Sequence, residues 1–205
     1  LKEIKGLNNF NTSRVNNMTG MFQKCPNLTY LDLTTFNTLN VNNMSSMFRE
    51  CNNLKEIKGL NNFITTNVTD MKSMFYNCSE LESLDLSNFD ISNVTNISGL
   101  CSQCYKLNDI IGLDKLCTKN VTDMGGLFES CPELKFLDLS SFNTSNVTNM
   151  TGMFNRCIKL KEIKGIDKFV TDKAIDMSAL FAQCWELETL DLSSFNTRSE
   201  ERRVG

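Results

Sequence analysis

Leu137-Asp-Leu-Ser-Ser-Phe-Asn-Thr-Ser-Asn-Val-Thr-Asn-Met-Thr-Gly-Met-Phe-Asn-Arg-Cys157 places apolar side chains at Leu137, Leu139, Phe142, Val147, Met150, Met153, Phe154 and Cys157. With Leu134 these make nine slots, and the same nine recur at Leu28, Leu31, Leu33, Phe36, Val41, Met44, Met47, Phe48 and Cys51. The cysteine slot returns at Cys25, Cys51, Cys78, Cys104, Cys131, Cys157 and Cys184, in steps of 26, 27, 26, 27, 26 and 27 residues. Self-similarity at a fixed period marks a repeat architecture, because one unit of this size cannot bury its apolar face without neighbours.

Working outward, Leu81, Leu84 and Leu86 alternate at their end and predict a short strand. The steps of three and four through Val41, Met44, Met47 or Phe48, and Cys51 predict one face of a short helix. Asn40, Asn67, Asn93, Asn120 and Asn146 stand where such a helix takes its N-cap, and Asp70 and Asp123 follow three residues on, where the helix dipole favours an acid. The only two prolines, Pro26 and Pro132, directly follow a repeat cysteine, where a helix would stop. The expected fold is an α/β leucine-rich-repeat-like solenoid. It has a parallel sheet on one side, short helices on the other, and each interior side chain packed on its own copy at roughly 4.8 Å spacing.

Two kinds of rung alternate. One reads Leu-Asp-Leu, at 31–33, 84–86, 137–139 and 190–192. The other reads Ile-Lys-Gly-Leu/Ile, at 4–7, 57–60 and 163–166, with Ile110-Ile111-Gly112-Leu113 as a variant. The glycine accommodates the extra residue of the longer rung as a bulge or tight turn. The outward strand position then runs Lys5, Asp32, Lys58, Asp85, Ile111, Asp138, Lys164, Asp191, an alternation that pairs neighbours favourably and guards the register.

The 137–157 string, with Asn155 and Arg156 as its variable pair, resembles the leucine-rich repeats of BspA-type bacterial surface proteins, a repeat also found in mycoplasma lipoproteins. The resemblance covers residues 1–197. It implies a secreted or surface-attached, non-enzymatic bacterial protein acting in adhesion or host binding. It carries over no binding residues, since the shared motif is the structural core. Residues 1–197 are expected to form about seven repeats of an uncapped fragment. Residues 198–205, Arg-Ser-Glu-Glu-Arg-Arg-Val-Gly, break the pattern and read as the in-frame translation of a sequencing adapter, a non-native tail.

Composition narrows the function. The chain has no histidine, so the commonest general base and metal ligand are missing, and its net charge of −3 shows no basic excess for nucleic acid. No apolar run is long enough for direct membrane insertion. No nucleotide-cradling glycine loop is present, and carboxylates such as Asp109 and Asp114 are framed by no nucleophile. The expectation is no catalytic residue, no metal and no cofactor.

Seven of the nine cysteines fill one slot and read as small buried residues, with a disulfide between adjacent rungs as the alternative. Cys101-x-x-Cys104, with Cys117 and Cys131, has the ingredients of a zinc site, but Cys101 also simply occupies the Phe slot of a degenerate rung that has Ile97 for Met and Leu116 for Phe. Asn-x-Thr triplets at Asn67 and Asn146 belong to the repeat consensus.

For a non-catalytic array the outward strand positions are where binding is sought, because they vary between rungs. Candidates are Tyr30, Lys58, Asp85, Ile111, Phe136, Asp138 and Lys164, with Lys55, Glu82 and Glu188 beside them. Tyr30 and Phe136 are the expected anchors, four rungs apart. The expected partner is a protein or host-surface ligand. The alternatives are a spacer or surface coat without a specific ligand, and a targeting array for an enzyme domain encoded elsewhere in the gene.

Overall fold

The computed structural model describes residues 1–196; Thr197 and the tail expected at 198–205 lie outside the described residues. Among the described residues, six three-residue strands run β1 (Tyr30–Asp32), β2 (Glu56–Lys58), β3 (Ser83–Asp85), β4 (Asp109–Ile111), β5 (Phe136–Asp138) and β6 (Glu162–Lys164). They pair in parallel as β1–β2, β3–β4 and β5–β6, with Leu31 opposite Ile57, Leu84 opposite Ile110 and Leu137 opposite Ile163. The expected continuous sheet is therefore three separate two-stranded sheets, and β2 does not pair with β3, nor β4 with β5.

The break falls after each Ile-Lys-Gly rung. Gly59, Gly112 and Gly165 adopt φ of 84°, 84° and 87° and start the 3-10 turns η2 (Leu60–Asn62), η3 (Leu113–Lys115) and η4 (Ile166–Lys168), as Gly6 does for η1 (Leu7–Asn9). A β-carbon on Gly59 would lie 2.6 Å from the backbone nitrogen of Thr34, and one on Gly112 only 2.4 Å from the Ser87 Cα. Only glycine tolerates both the left-handed backbone and this approach to the rung before it. The longer rung is thus clamped to its predecessor and turns away from its successor.

Opposite the strands, the expected helices are absent: among the described residues the only helical pieces are η1 to η4. The 41–51 stretch is a chain of reverse turns, closed by Met47 N–H to Met44 O at 3.3 Å, Arg49 N–H to Ser46 O at 3.1 Å and Cys51 N–H to Phe48 O at 3.1 Å. Ser46 and Glu50 are left-handed at φ 58° and 60°, which no α-helix accommodates. Successive turns also advance apolar residues by three and four, so the spacing imitated a helical face. Alternate amides leave the rung altogether: Met44, Ser46, Phe48 and Glu50 donate to Asp70, Lys72, Met74 and Tyr76 of the next rung.

The residues read as helix caps serve this stack instead. Asn40, Asn67, Asn93, Asn120 and Asn146 each donate their side-chain amide to a carbonyl of the preceding rung, at 2.6 to 2.8 Å. Asp70 and Asp123 accept from the amides two residues on, Lys72 at 2.9 Å and Gly125 at 3.0 Å. Both stand in a column of parallel bridges running Asn17, Asn43, Asp70, Asn96, Asp123, Asn149, Asp176. Pro26 and Pro132 occupy the second position of turns closed by Leu28 on Cys25 and Leu134 on Cys131, where proline's fixed φ is favoured.

Between the two sides lies one apolar core. Phe22, Phe48 and Phe75 stack with centroids 5.7 and 5.5 Å apart, and Phe128, Phe154 and Phe181 at 6.0 and 5.5 Å. A threonine column is buried beside it. The Thr38 hydroxyl donates to Ile64 O at 3.0 Å and accepts from Ile64 N–H at 2.7 Å, and Thr12, Thr65, Thr118, Thr144 and Thr171 repeat the arrangement. One hydroxyl thus satisfies both backbone groups of the residue stacked upon it.

Candidate functional site

The outward strand face displays the candidate residues. In each two-stranded sheet the first strand has an exposed–buried–intermediate pattern, so Leu31, Leu84 and Leu137 point inward while Tyr30, Asp32, Ser83, Asp85, Phe136 and Asp138 point out. Tyr30 is 43% exposed, Ile111 48% and Phe136 50%. Asp32 meets Lys58 at 3.2 Å and Asp138 meets Lys164 at 2.6 Å. The charge alternation forms pairs only inside a sheet. Asp85 has no lysine opposite, because Ile111 stands where the other sheets have Lys58 and Lys164.

Each Asp of this column also closes its own turn. The Thr34 hydroxyl and amide on Asp32, at 2.6 and 3.1 Å, together with Lys58, hold its carboxyl down at about 2. For Asp138 the order reverses: Lys164 contributes most and Ser140 next, again to about 2. The same contacts raise Lys58 and Lys164 above the ordinary lysine value.

Where the sheets break, the face of the described residues opens into clefts, among them ones of about 310, 250 and 190 Å³. They recur every second rung and use the same slots. An outward acid of the longer rung (Glu3, Glu56, Asp109) stands beside a residue of the 3-10 turn (Asn8, Asn61, Asp114). Facing them are the outward residue of the next rung (Tyr30, Ser83, Phe136) and its aspartate (Asp32, Asp85, Asp138). Tyr30 and Phe136 therefore do not share a pocket, but wall equivalent clefts. Of these walls, sequence reasoning named Tyr30, Phe136, Asp85 and Asp138 as binding candidates, and did not name Asp32, the acids of the longer rung or the 3-10 residues as such. The available signal was the glycine that ends each longer rung: it was read as a bulge or tight turn, and it does open a tight 3-10 turn, but its ending of the strand pairing was not read from it.

The family model described as "Mycoplasma protein of unknown function, DUF285" matches residues 2–114 and 108–203. The chain belongs to the DUF285 family. The resemblance to bacterial leucine-rich surface proteins read from residues 137–157 stands with it. Among solved structures, the DUF285 chain matches the Treponema pallidum leucine-rich repeat protein over 100% of its own length and 81% of that chain, at 18% identity and a TM-score of 0.54. It matches a leucine-rich repeat protein from Eubacterium ventriosum over 82% of its length, at 23% identity and a TM-score of 0.52. It also matches a leucine-rich cell surface protein from Faecalibacterium prausnitzii over 71% of its length, at 22% identity and a TM-score of 0.49. It spans 40% and 35% of those last two chains. A search of curated sequences returns no match.

The cysteine column of the DUF285 chain is structural. All nine thiols are free, and six of them donate to a carbonyl one rung back, from Cys51 on Phe22 O at 3.0 Å to Cys184 on Phe154 O at 3.0 Å. Burial raises Cys51 to about 11 and Cys104 and Cys157 to about 12. Cys101 fills the Phe slot, Cys117 is exposed, and among the described residues no group of three or more His, Cys, Asp or Glu side chains is arranged to hold a metal. No helix among the described residues is long and apolar enough to cross a membrane.

Proposed function

We propose that residues 1–197 form one solenoid, the ligand-binding array of a secreted or surface-attached protein, and that its outward strand face engages a protein or host-surface ligand in adhesion. The observation that carries this reading is the contrast within each strand: the inward Leu31, Leu84 and Leu137 are copies of one another, while Tyr30, Ser83 and Phe136 beside them differ. Structural stacking alone requires no such variation, and exposed aromatics such as Tyr30 and Phe136 are among the groups enriched in protein interfaces. Tyr30, Lys58, Asp85, Ile111, Phe136, Asp138 and Lys164 are the contact residues.

The test is binding of the labelled chain to immobilised host extracellular-matrix proteins. The reading expects saturable binding that a Tyr30→Ala/Phe136→Ala variant loses by about tenfold or more, the scale of one hot spot. Exchanges at Lys72 and Thr151, on the opposite side, leave it unchanged. Non-saturable binding, or equal loss from both faces, returns the chain to a spacer. A catalytic domain elsewhere in the gene makes it a targeting array instead.

A further inference from the structure

On the turn side, one slot of the repeat changes size. The residue after the ring column is Arg49, Tyr76, Glu129 and Asn155 in the surrounding rungs, but in the rung between Tyr76 and Glu129 it is Ser102. Neighbouring slots shrink with it: where other rungs carry Lys72 or Thr151, these carry Ser98 and Gly125. The small residues leave a depression of about 330 Å³. Ser102 lines it, with Lys72, Ser73 and Tyr76 of the rung before and Asp123 and Glu129 of the rung after. That volume falls at the lower end of small-molecule sites, about 300–1,000 Å³.

Several polar groups of this depression lack partners inside the protein. The Ser102 side chain is 1% exposed and its hydroxyl makes no hydrogen bond, a costly condition for a buried group. Asp123 engages through Oδ1, which accepts from the Gly125 amide at 3.0 Å and the Asn149 side chain at 2.9 Å, and its Oδ2 is left open. Glu129 engages through Oε1, which accepts from the Asn155 side chain at 3.0 Å. Its Oε2 lies over Gly126 as Ser73 Oγ lies over Gly99, and a β-carbon on either glycine would come within 3.2 Å of that oxygen. Lys72 forms no ion pair among the described residues.

These groups select a ligand. The open carboxylate oxygens only accept, the Lys72 ammonium only donates, and the serine hydroxyls do both. An anion such as phosphate is repelled by Asp123 and Glu129. An alkylammonium suits those acids but offers Lys72 nothing to donate to. A hydroxyl donates once and accepts twice, so a ring bearing adjacent hydroxyls answers all three kinds of group.

We infer that the depression is a carbohydrate site, holding one pyranose residue of a neutral glycan by its hydroxyls. Asp123 and Glu129 accept from the sugar, Lys72 donates to it, and Ser102 gains the partner that the protein withholds. The site lies on the side opposite the strand face and does not depend on the binding proposed for that face.

The probes are the methyl glycosides of glucose, galactose, mannose and N-acetylglucosamine, each titrated into the ¹⁵N-labelled full chain and followed by amide NMR. The expected result is that one of them shifts the Gly99, Gly125 and Gly126 amides saturably, with a Kd of about 1 mM, while sodium phosphate and propylamine leave them in place. Ser98→Lys, which copies Lys72 of the preceding rung, fills the depression and abolishes the shifts. Ser102→Ala weakens binding by about tenfold, yet its melting temperature does not fall, because the hydroxyl it removes has no partner to leave behind. A merely structural Ser102 moves neither the shifts nor the affinity. Failure of all four glycosides to shift these glycines overturns the inference, as do shifts by phosphate or propylamine in their place, or full affinity in Ser102→Ala. The Tyr30→Ala/Phe136→Ala variant binds the glycoside undiminished, so loss of matrix binding through the strand face and loss of the sugar site are read separately.

Discussion

The rung at 146–171 and the rung at 93–118 have the same length and the same two-sided plan, yet only one is filled with consensus residues. In the first, Phe154 lies between Phe128 and Phe181 at 6.0 and 5.5 Å, and the Thr144 hydroxyl beside it holds both backbone groups of Val170. In the second, Cys101 interrupts the ring column and Leu116 replaces a phenylalanine, and Ile91, just before the rung, stands where the threonine column has its hydroxyl. An apolar cavity of about 10 Å³ remains there, lined by Ile91, Cys101, Leu116 and Phe128 among others, and the buried Ser102 hydroxyl nearby has no hydrogen-bond partner. The small cavity shows that neighbours have closed over most of the missing ring volume. Repetition does not require each rung to be ideal, because a weak rung is enclosed by strong ones on both sides.

The sharpest way to break this comparison is thiol chemistry. Cys101 and Cys104 are buried in the weak rung, whereas Cys117 is exposed. Cys117 is expected to react with a disulfide reagent at once and the buried pair only through opening, slower by more than about a thousandfold. Rapid labelling of Cys101 in peptide mapping would show that the weak rung is open. Burial favours the neutral thiol, so this contribution is whole below the ordinary cysteine value of 9.0 and is lost as pH climbs toward the raised values near 12.

Next in size, Phe154→Ala removes a ring held on both sides and is expected to cost about 3–5 kcal/mol in denaturant unfolding. Cys101→Ala should cost far less. Equal losses would mean that the ring column contributes nothing beyond bulk. Restoring the consensus does not restore the packing. A phenylalanine at 101 meets a cavity of only about 10 Å³. Cys101→Phe is therefore expected to destabilise by about 1–3 kcal/mol, and a clear gain in melting temperature would show that the site remains open to the ring.

Thr144→Val keeps the shape and leaves the Val170 amide and carbonyl without their hydroxyl, at an expected cost of about 1–2 kcal/mol. Faster hydrogen exchange at Val170 is the readout. The smallest effect separates two sheets of the outer face. Lys164 is the leading influence on Asp138, while Thr34 is for Asp32. Replacing each lysine by alanine should raise the Asp138 midpoint more than that of Asp32, seen by carboxyl NMR. Both acids are lowered on folding, so their contribution is present above the ordinary carboxylate range and lost as pH falls toward about 2. The lysines are raised, and theirs persists below the ordinary lysine value and fades above it.

The repeat length, the interior slots and the two rung types were legible in the chain, because a stack forces each buried side chain to recur at one offset. Gly59, Gly112 and Gly165 were legible as necessary, though not for what they end. Three things were decided only in the folded stack. The 41–51 stretch became turns, because its amides bond the next rung and a spacing of three and four does not distinguish a turn chain from a helix. Asn40 and its copies became ties between rungs, since a polar side chain's partner 27 or 28 residues away leaves no local signature. The clefts arose because β2 and β3 diverge, and pairing between rungs is a property of two backbones that neither stretch of sequence specifies by itself.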